Sequence, residues 1–348
     1  MTKTAIAVAL AVLLGGGAAA QAPEDPASTP AESLAAYLDN SGRADAWSGG
    51  EQLVPITTPD GPHNVWIKRI GNNPGMKLLL LHGGPGATSD YFAAFDSYIP
   101  ATGIEYYHYD QLGAGRSDRP DNDALWTIPR FVDEVDQVRQ AIGGDASNFC
   151  ILGHSWGGIL AIEYALAHPD KVKCVVISNM MASIPAYNTY ADAVLKPQMD
   201  PAKLARVEAL EASGHTDDPD YMGILVPEFY EQHILRRPAS EWPAPVNRAF
   251  ADMNEHVYVL MQGPSEMGAS GRLEDWDRFD DLAGINAPTL VISGKYDTMD
   301  PAYMAKMAEQ LPNGQLLATN GSHMSMYDDQ QAYFDGLTAF LLDQAKKD

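Results

Sequence analysis

The feature that most constrains this chain is the pentapeptide Gly153-His154-Ser155-Trp156-Gly157, set between two apolar stretches. Residues 149–153 read as a buried strand and residues 157–167 as a helix. A G-x-S-x-G sequence at such a junction makes a sharp strand-to-helix turn that lifts the serine clear of the sheet. Gly153 and Gly157 are required there because side chains would collide where strand and helix approach. One short segment thus dictates a strand, a helix behind it and an exposed hydroxyl at the strand's carboxyl end.

The rest of the chain supplies the sheet. Residues 53–58 and 64–70 read as two opening strands around a turn at Pro59-Asp60-Gly61. Residues 77–81 and 104–110 read as strands that run into glycine-rich loops, His82-Gly83-Gly84-Pro85-Gly86 and Gln111-Leu112-Gly113-Ala114-Gly115. Residues 127–142 carry Ile128, Phe131, Val132, Val135, Val138 and Ile142 on one helical stripe. Another strand is expected at 172–178. From 179 to 284 the chain turns rich in Met, Tyr, Pro and acidic residues and has no buried-strand runs, which predicts a helical insertion. Alternation resumes with strands at 288–294 and 315–319 and helices at 301–311 and 327–342. Such alternation implies a mostly parallel sheet with helices on both faces. The expected division is 1–20, 21–48 (a tether and short helix), a core at 49–178, a cap at 179–284 and the rest of the core at 285–348.

Ligands on such sheets bind beyond the carboxyl ends of the strands. Ser155, Asp297 and His323 each follow a predicted strand directly, so all three fall on that edge. Their order, Ser…Asp…His, belongs to the α/β-hydrolase fold, whereas serine enzymes of other folds use other orders. Ser155 is the expected nucleophile and His323 the base that takes its proton. Asp297 holds the imidazole, with Asp300 the less favoured acid because it lies farther from the strand end. The oxyanion of the tetrahedral intermediate needs two N–H donors. Trp156 supplies one, with its ring expected on the pocket wall, and Gly84 is chosen for the other over Gly83. Arg116 is read as structural, paired with Asp110 or Asp118. No cofactor or metal is implied.

The net charge of −23 argues against nucleic acid and against docking on anionic lipid. Lys3, an apolar run over 5–14 and Ala18-Ala19-Ala20 read as a signal peptide cleaved before Gln21, hence export to the periplasm or medium. The run is too short for a comfortable membrane span, so no stable insertion is expected after cleavage. Cys150 and Cys174 each sit in an apolar strand and are taken as inert core thiols in preference to a bridge.

Three segments together resemble the proline iminopeptidase (prolyl aminopeptidase) family of α/β-hydrolases from about residue 50 to 345. They are His82-Gly83-Gly84-Pro85-Gly86, Tyr109-Asp110-Gln111-Leu112-Gly113-Ala114-Gly115-Arg116-Ser117 and Gly153-His154-Ser155-Trp156-Gly157-Gly158. Within the insertion, Gly263-Pro264-Ser265-Glu266 and Leu273-Glu274-Asp275-Trp276-Asp277 also resemble the family. The resemblance implies a serine aminopeptidase that releases an N-terminal residue, proline among the candidates, from short peptides. It implies that Glu266 binds the substrate's α-amine and that Tyr258 belongs to the same pocket. One branch of the family carries a second amine-binding glutamate just after the triad acid. Thr298 stands there in this chain, and Asp300, Glu228 or Glu231 are the candidate substitutes. That departure leaves room for amino-acid amides and esters as substrates, and a carboxylesterase, lactonase or amino-acid amidase uses the same triad. Met180, Met181, Tyr187, Tyr190, Met222 and Tyr230 are candidates for an apolar pocket lining, none assigned singly.

Overall fold

The computed structural model describes residues 50–72 and 75–347; the signal peptide and the tether read from the sequence lie outside the described residues. Eight strands form one sheet: β1 (Glu51–Thr58), β2 (Gly61–Ile70), β3 (Lys77–Leu81), β4 (Glu105–Asp110), β5 (Phe149–His154), β6 (Cys174–Ser178), β7 (Thr289–Gly294) and β8 (Gly314–Thr319). Their spatial order is β1-β2-β4-β3-β5-β6-β7-β8. β1 and β2 make an antiparallel hairpin and β2 pairs antiparallel with β4, while the remaining pairs are parallel.

Burial explains the sequence pattern strand by strand. β3, β5, β6 and β7 are buried at every position, so they read as unbroken apolar runs. β1, at an edge, alternates buried and exposed residues from Val54 onward, the mark of a strand covered on one face. Within β3 the faces separate cleanly. Leu79 and Leu81 join Ile151 and Val175 under α1 (Ile128–Ala141) and α2 (Trp156–Ala167), whereas Leu78 and Leu80 join Phe92, Phe95 and Phe334 on the opposite side. Each buried leucine contributes ~1.5–3 kcal/mol relative to exposure, so β3 is pinned in depth and in register.

The expectation of two core thiols is overturned. Cys150 and Cys174 form a disulfide, with Cα atoms 4.7 Å apart. The physical reason is register: the two residues are direct partners on neighbouring parallel strands, so both side chains point to the same face at the same height. Strand reading alone gave each cysteine a face but not the partner opposite it.

Between β6 and β7 the chain runs through α3 (Ile184–Tyr190), α4 (Pro201–Ser213), α5 (Pro219–Leu225), α6 (Ala244–Ala251) and α7 (Glu255–Met261), with shorter helical turns among them. A single β-bridge, Ser183 to Asp277, ties its outgoing and returning ends. Four of these five helices start on side-chain caps: Ser183, Asp200, Asp218 and Asn254 each accept a backbone N–H of the first turn. After β7 comes α8 (Pro301–Gln310), and α9 (Gln330–Ala345) closes the chain. The one helix expected over 327–342 is divided by Asp329, whose φ of −134° is not helical. The break serves the loop that carries His323: the Asp328 carboxylate accepts the Ser322 N–H at 3.0 Å and Asp329 accepts the Asn320 N–H at 2.6 Å.

Candidate active site

Every residue of the site hangs from the carboxyl edge of the sheet or reaches down to it from the insertion. Ser155 follows β5 with φ 56°, in the left-handed region that a serine rarely adopts. Such a conformation costs about 1–3 kcal/mol and is held by its surroundings. Here the Ser155 N–H donates to Ser178 O at 3.1 Å and Gly158 N–H donates to Ser155 O at 2.6 Å. The glycine requirement of the turn is literal: a Cβ on Gly153 would overlap the Gly157 carbonyl, and one on Gly157 would overlap the Leu81 carbonyl.

The structure brings His323 and Asp297 together. His323 Nδ1 lies 2.8 Å from Asp297 Oδ1, and Asp297 is wholly buried. The other carboxylate oxygen accepts from Asn179 Nδ2 at 2.7 Å, and Met299 N–H donates to Oδ1 at 3.2 Å. Burial disfavours the Asp297 charge, but the imidazole and these donors outweigh it and hold the carboxyl below its usual range. His323 responds in the opposite sense. Burial disfavours the imidazolium, yet the charge and hydrogen bond of Asp297, with Glu266 and Asp328 beyond, raise its pKa above 6.5. With Nδ1 on Asp297, Nε2 is the nitrogen left for the pocket that His323 and Ser155 line together. Asp300 is excluded from the acid's role: it caps α8 by accepting the Ala302 N–H at 2.9 Å.

The oxyanion loop after β3 lies against the nucleophile, since a Cβ on Gly83 would stand 2.8 Å from Ser155 Cβ. Gly83 N–H is already engaged, donating to the Tyr91 hydroxyl at 2.6 Å, and Gly84 lines the pocket beside it. Trp156 opens α2, where a first-turn N–H has no partner within the helix. Its ring departs from expectation. It is 2 % exposed, packs edge-on against Phe131 and donates Nε1–H to Gln111 Oε1 at 2.8 Å, so it belongs to the core instead of the pocket wall.

Two buried frames fix these donors, and sequence reading assigned neither. Gln111, at the end of β4, accepts from Trp156 and donates Nε2–H to His82 O at 2.9 Å, joining the two oxyanion segments. The second frame centres on His154. Its Nε2 lies 2.8 Å from the His323 carbonyl, which can only accept, so Nε2 carries the proton and Nδ1 accepts from the Tyr91 hydroxyl at 3.1 Å. Desolvation, reinforced by nearby His323, lowers the His154 pKa to about 3 and keeps this ring neutral. Oxyanion loop, nucleophile turn and base loop are thereby joined through one tyrosine and one histidine. Arg116 is structural as read, with Nε 2.7 Å from Asp110 Oδ2.

From the insertion, Glu266 projects into the same pocket as Ser155 and His323. Three tyrosines hold it: Tyr258 donates to its carboxylate at 2.6 Å, Tyr187 donates to its carbonyl, and Tyr230 accepts its N–H at 3.3 Å. Desolvation raises the Glu266 pKa, partly countered by His323 and the Tyr258 hydrogen bond. Tyr258 thus reaches the site through Glu266. Glu266 is the one carboxylate on the pocket wall among the described residues. Glu228 pairs with Lys203, Glu231 accepts the Ala239 N–H and Asp300 caps a helix, so none replaces a second amine ligand. Thr298 is buried beside the triad, its hydroxyl donating to Asp297 Oδ1 at 3.3 Å. Ile234, Ala249, Phe250, Met253 and Met324 supply the apolar wall. None of the six Met and Tyr candidates named from the sequence lines this pocket; Met222 and Tyr230 face a neighbouring groove.

A mostly parallel sheet with a Ser-His-Asp constellation on its carboxyl edge defines a serine hydrolase of the α/β-hydrolase class. A family model described as alpha/beta hydrolase fold matches residues 77–330. The chain is 50% identical over 292 residues to the proline iminopeptidase of Flavobacterium johnsoniae, covering 84% of this chain and 98% of the relative. It is 49% identical over 294 residues to that of Elizabethkingia meningoseptica, with 84% and 98% covered. The crystal structure of the Mycobacterium smegmatis proline iminopeptidase superposes with a TM-score of 0.74 at 30% identity, covering 85% of this chain and 98% of that one. The chain belongs to the proline iminopeptidase family.

Proposed function

We propose that this chain is a serine aminopeptidase that releases N-terminal proline from short peptides. The observation that carries this reading is Glu266, a carboxylate fixed by three tyrosines and facing the pocket of Ser155 and His323. A free α-ammonium bound there sets the distance to the first carbonyl, so only the first peptide bond reaches the nucleophile. The apolar wall around Phe250 and Ile234 suits a pyrrolidine ring.

Ser155 Oγ attacks that carbonyl as His323 Nε2 takes its proton, and the oxyanion forms between the Gly84 and Trp156 N–H groups. The imidazolium, steadied by Asp297, then protonates the departing nitrogen, and the C–N bond breaks to leave prolyl-Ser155. Water attacks this ester, giving its proton to His323, and proline and free Ser155 are regenerated. The test compares proline β-naphthylamide with its N-blocked form. Cleavage of the free-amine substrate alone supports the reading; equal cleavage of both defeats it. A single anchoring carboxylate also supports turnover of amino-acid amides and esters that carry a free amine.

We further infer that the chain works outside the cytosol. The apolar run of 5–14 followed by small residues and the Cys150–Cys174 disulfide both support this. Mass analysis of protein recovered from the producing cells should find Gln21 at the N-terminus; retention of Met1 would count against export.

A further inference from the structure

Beside the catalytic pocket lies a larger groove of about 520 Å³, walled by helices of the insertion. Phe250 and Met253 line both spaces. Met253 stands next to the oxyanion loop, because the following residue, Asn254, donates its N–H to Gly86 O at 2.9 Å. The groove therefore adjoins the pocket that Ser155 and His323 line. Tyr230 and Tyr258 line it too, and their hydroxyls hydrogen-bond Glu266.

Its lining is unusual for a solvent-facing surface. Met222 is 41% exposed and Val259 49%, and both line it. Asp217, Asp218 and Glu255 add carboxylates, and no Lys, Arg or His lines it. One of these charges is shared, since Asp218 pairs with Arg206 at 3.0 Å. An apolar floor with an anionic rim fits a chain that carries an apolar residue and then a cationic one.

We propose that this groove is the subsite for the departing part of the peptide, the residues after the scissile bond, and that it selects an apolar residue followed by a basic one. The proposal rests on the aminopeptidase reading. With the amine at Glu266 and the first side chain on the apolar wall, the remaining peptide leaves past Phe250 and Met253 into this groove. The single carboxylate of the catalytic pocket then anchors one end of the substrate, and the groove anchors the other.

The experiment measures kcat/KM on three substrates: prolinamide, Pro-Leu-Lys and Pro-Leu-Glu. The native enzyme should favour Pro-Leu-Lys over Pro-Leu-Glu by about tenfold, mostly in KM. Val259→Asn should lower both tripeptides several-fold and leave prolinamide unchanged. Glu255→Lys combined with Asp217→Lys should remove or reverse the lysine preference, again without effect on prolinamide. Equal handling of the two tripeptides by the native enzyme, or equal losses on prolinamide and tripeptides in the variants, overturns the subsite alone. Failure of the native enzyme to release proline from any of the three overturns the aminopeptidase reading, and the subsite with it.

Discussion

The sheet edge and the insertion build this site in different ways. At the edge, each functional group is set by backbone: Ser155 and Asn179 follow β5 and β6 directly, and Asp297 and His323 lie on the short loops after β7 and β8. In the insertion, Glu266 lies on no regular element and owes its position to phenols from α3, α7 and the turn Val226–Tyr230. The edge supplies chemistry common to serine hydrolases, and the insertion decides which substrate presents its carbonyl to it. If the division is right, damage at the edge should strike kcat for all substrates, and damage in the insertion should strike KM for some.

The largest effect belongs to the edge. Asp297→Asn should lower kcat by roughly 10⁴-fold, because the imidazole loses the partner that fixes its tautomer. The loss should be the same for amine-bearing peptides and for simple esters, with the far-UV spectrum unchanged. An effect confined to peptides would place Asp297 on the substrate side of the comparison.

Glu266→Gln should come next, and it should discriminate. Removing one partner of a desolvated charge pair costs ~2–5 kcal/mol, so kcat/KM for free-amine substrates should fall by roughly a hundredfold, mainly through KM. Esters without an amine should keep their kcat and KM at pH values above the acid limb. A fall in kcat shared by both substrate types would return Glu266 to the catalytic edge and dissolve the division.

The two frames test whether the edge is rigid by design. Tyr91→Phe removes the acceptor of the Gly83 N–H and the donor to His154, at ~1–3 kcal/mol for the groups left unpaired. The expected result is about a tenfold loss in kcat with KM and the pH profile unchanged. Gln111→Ala should behave alike, since it frees the Trp156 indole and the His82 carbonyl together. A KM effect would mean that these frames shape the substrate pocket instead of the oxyanion donors.

This contrast also decides what could be read from the sequence. Strand-end residues were legible because a buried apolar run announces its own end: Ser155, Asp297 and His323 needed only that pattern and the order of the triad. Asn179 carries the same strand-end signal, directly after β6, but an asparagine after a strand names no chemistry by itself. Tyr91 and His154 gave no signal, since their partnership joins residues 63 positions apart and depends on which ring nitrogen carries the proton. Glu266 was reached only through family resemblance. The disulfide needed strand register, which neither composition nor burial supplies. The Trp156 ring was misplaced for a related reason: a helix's first side chain takes its direction from the whole packing behind it.

The smallest effect is electrostatic and joins the two regions. His323 must be neutral to accept the Ser155 proton, so activity should rise with pH through its pKa, and the acid limb should lie above the ordinary imidazole value of 6.5. Burial opposes the elevation; Asp297 contributes most to it, followed by Glu266 and then Asp328. Removing a negative charge stabilises the imidazolium less, lowers the pKa and moves the limb toward acid. Glu266→Gln should therefore shift the limb of an amine-free ester to lower pH even though its KM is unchanged, and Asp328→Asn should shift it in the same direction by less. The ester is the necessary probe, because with a peptide the titration of Glu266 and of the substrate amine enters the same profile. A limb that stays fixed in Glu266→Gln would mean that the insertion places the substrate without touching the base, and the two regions would then be electrostatically as well as structurally separate.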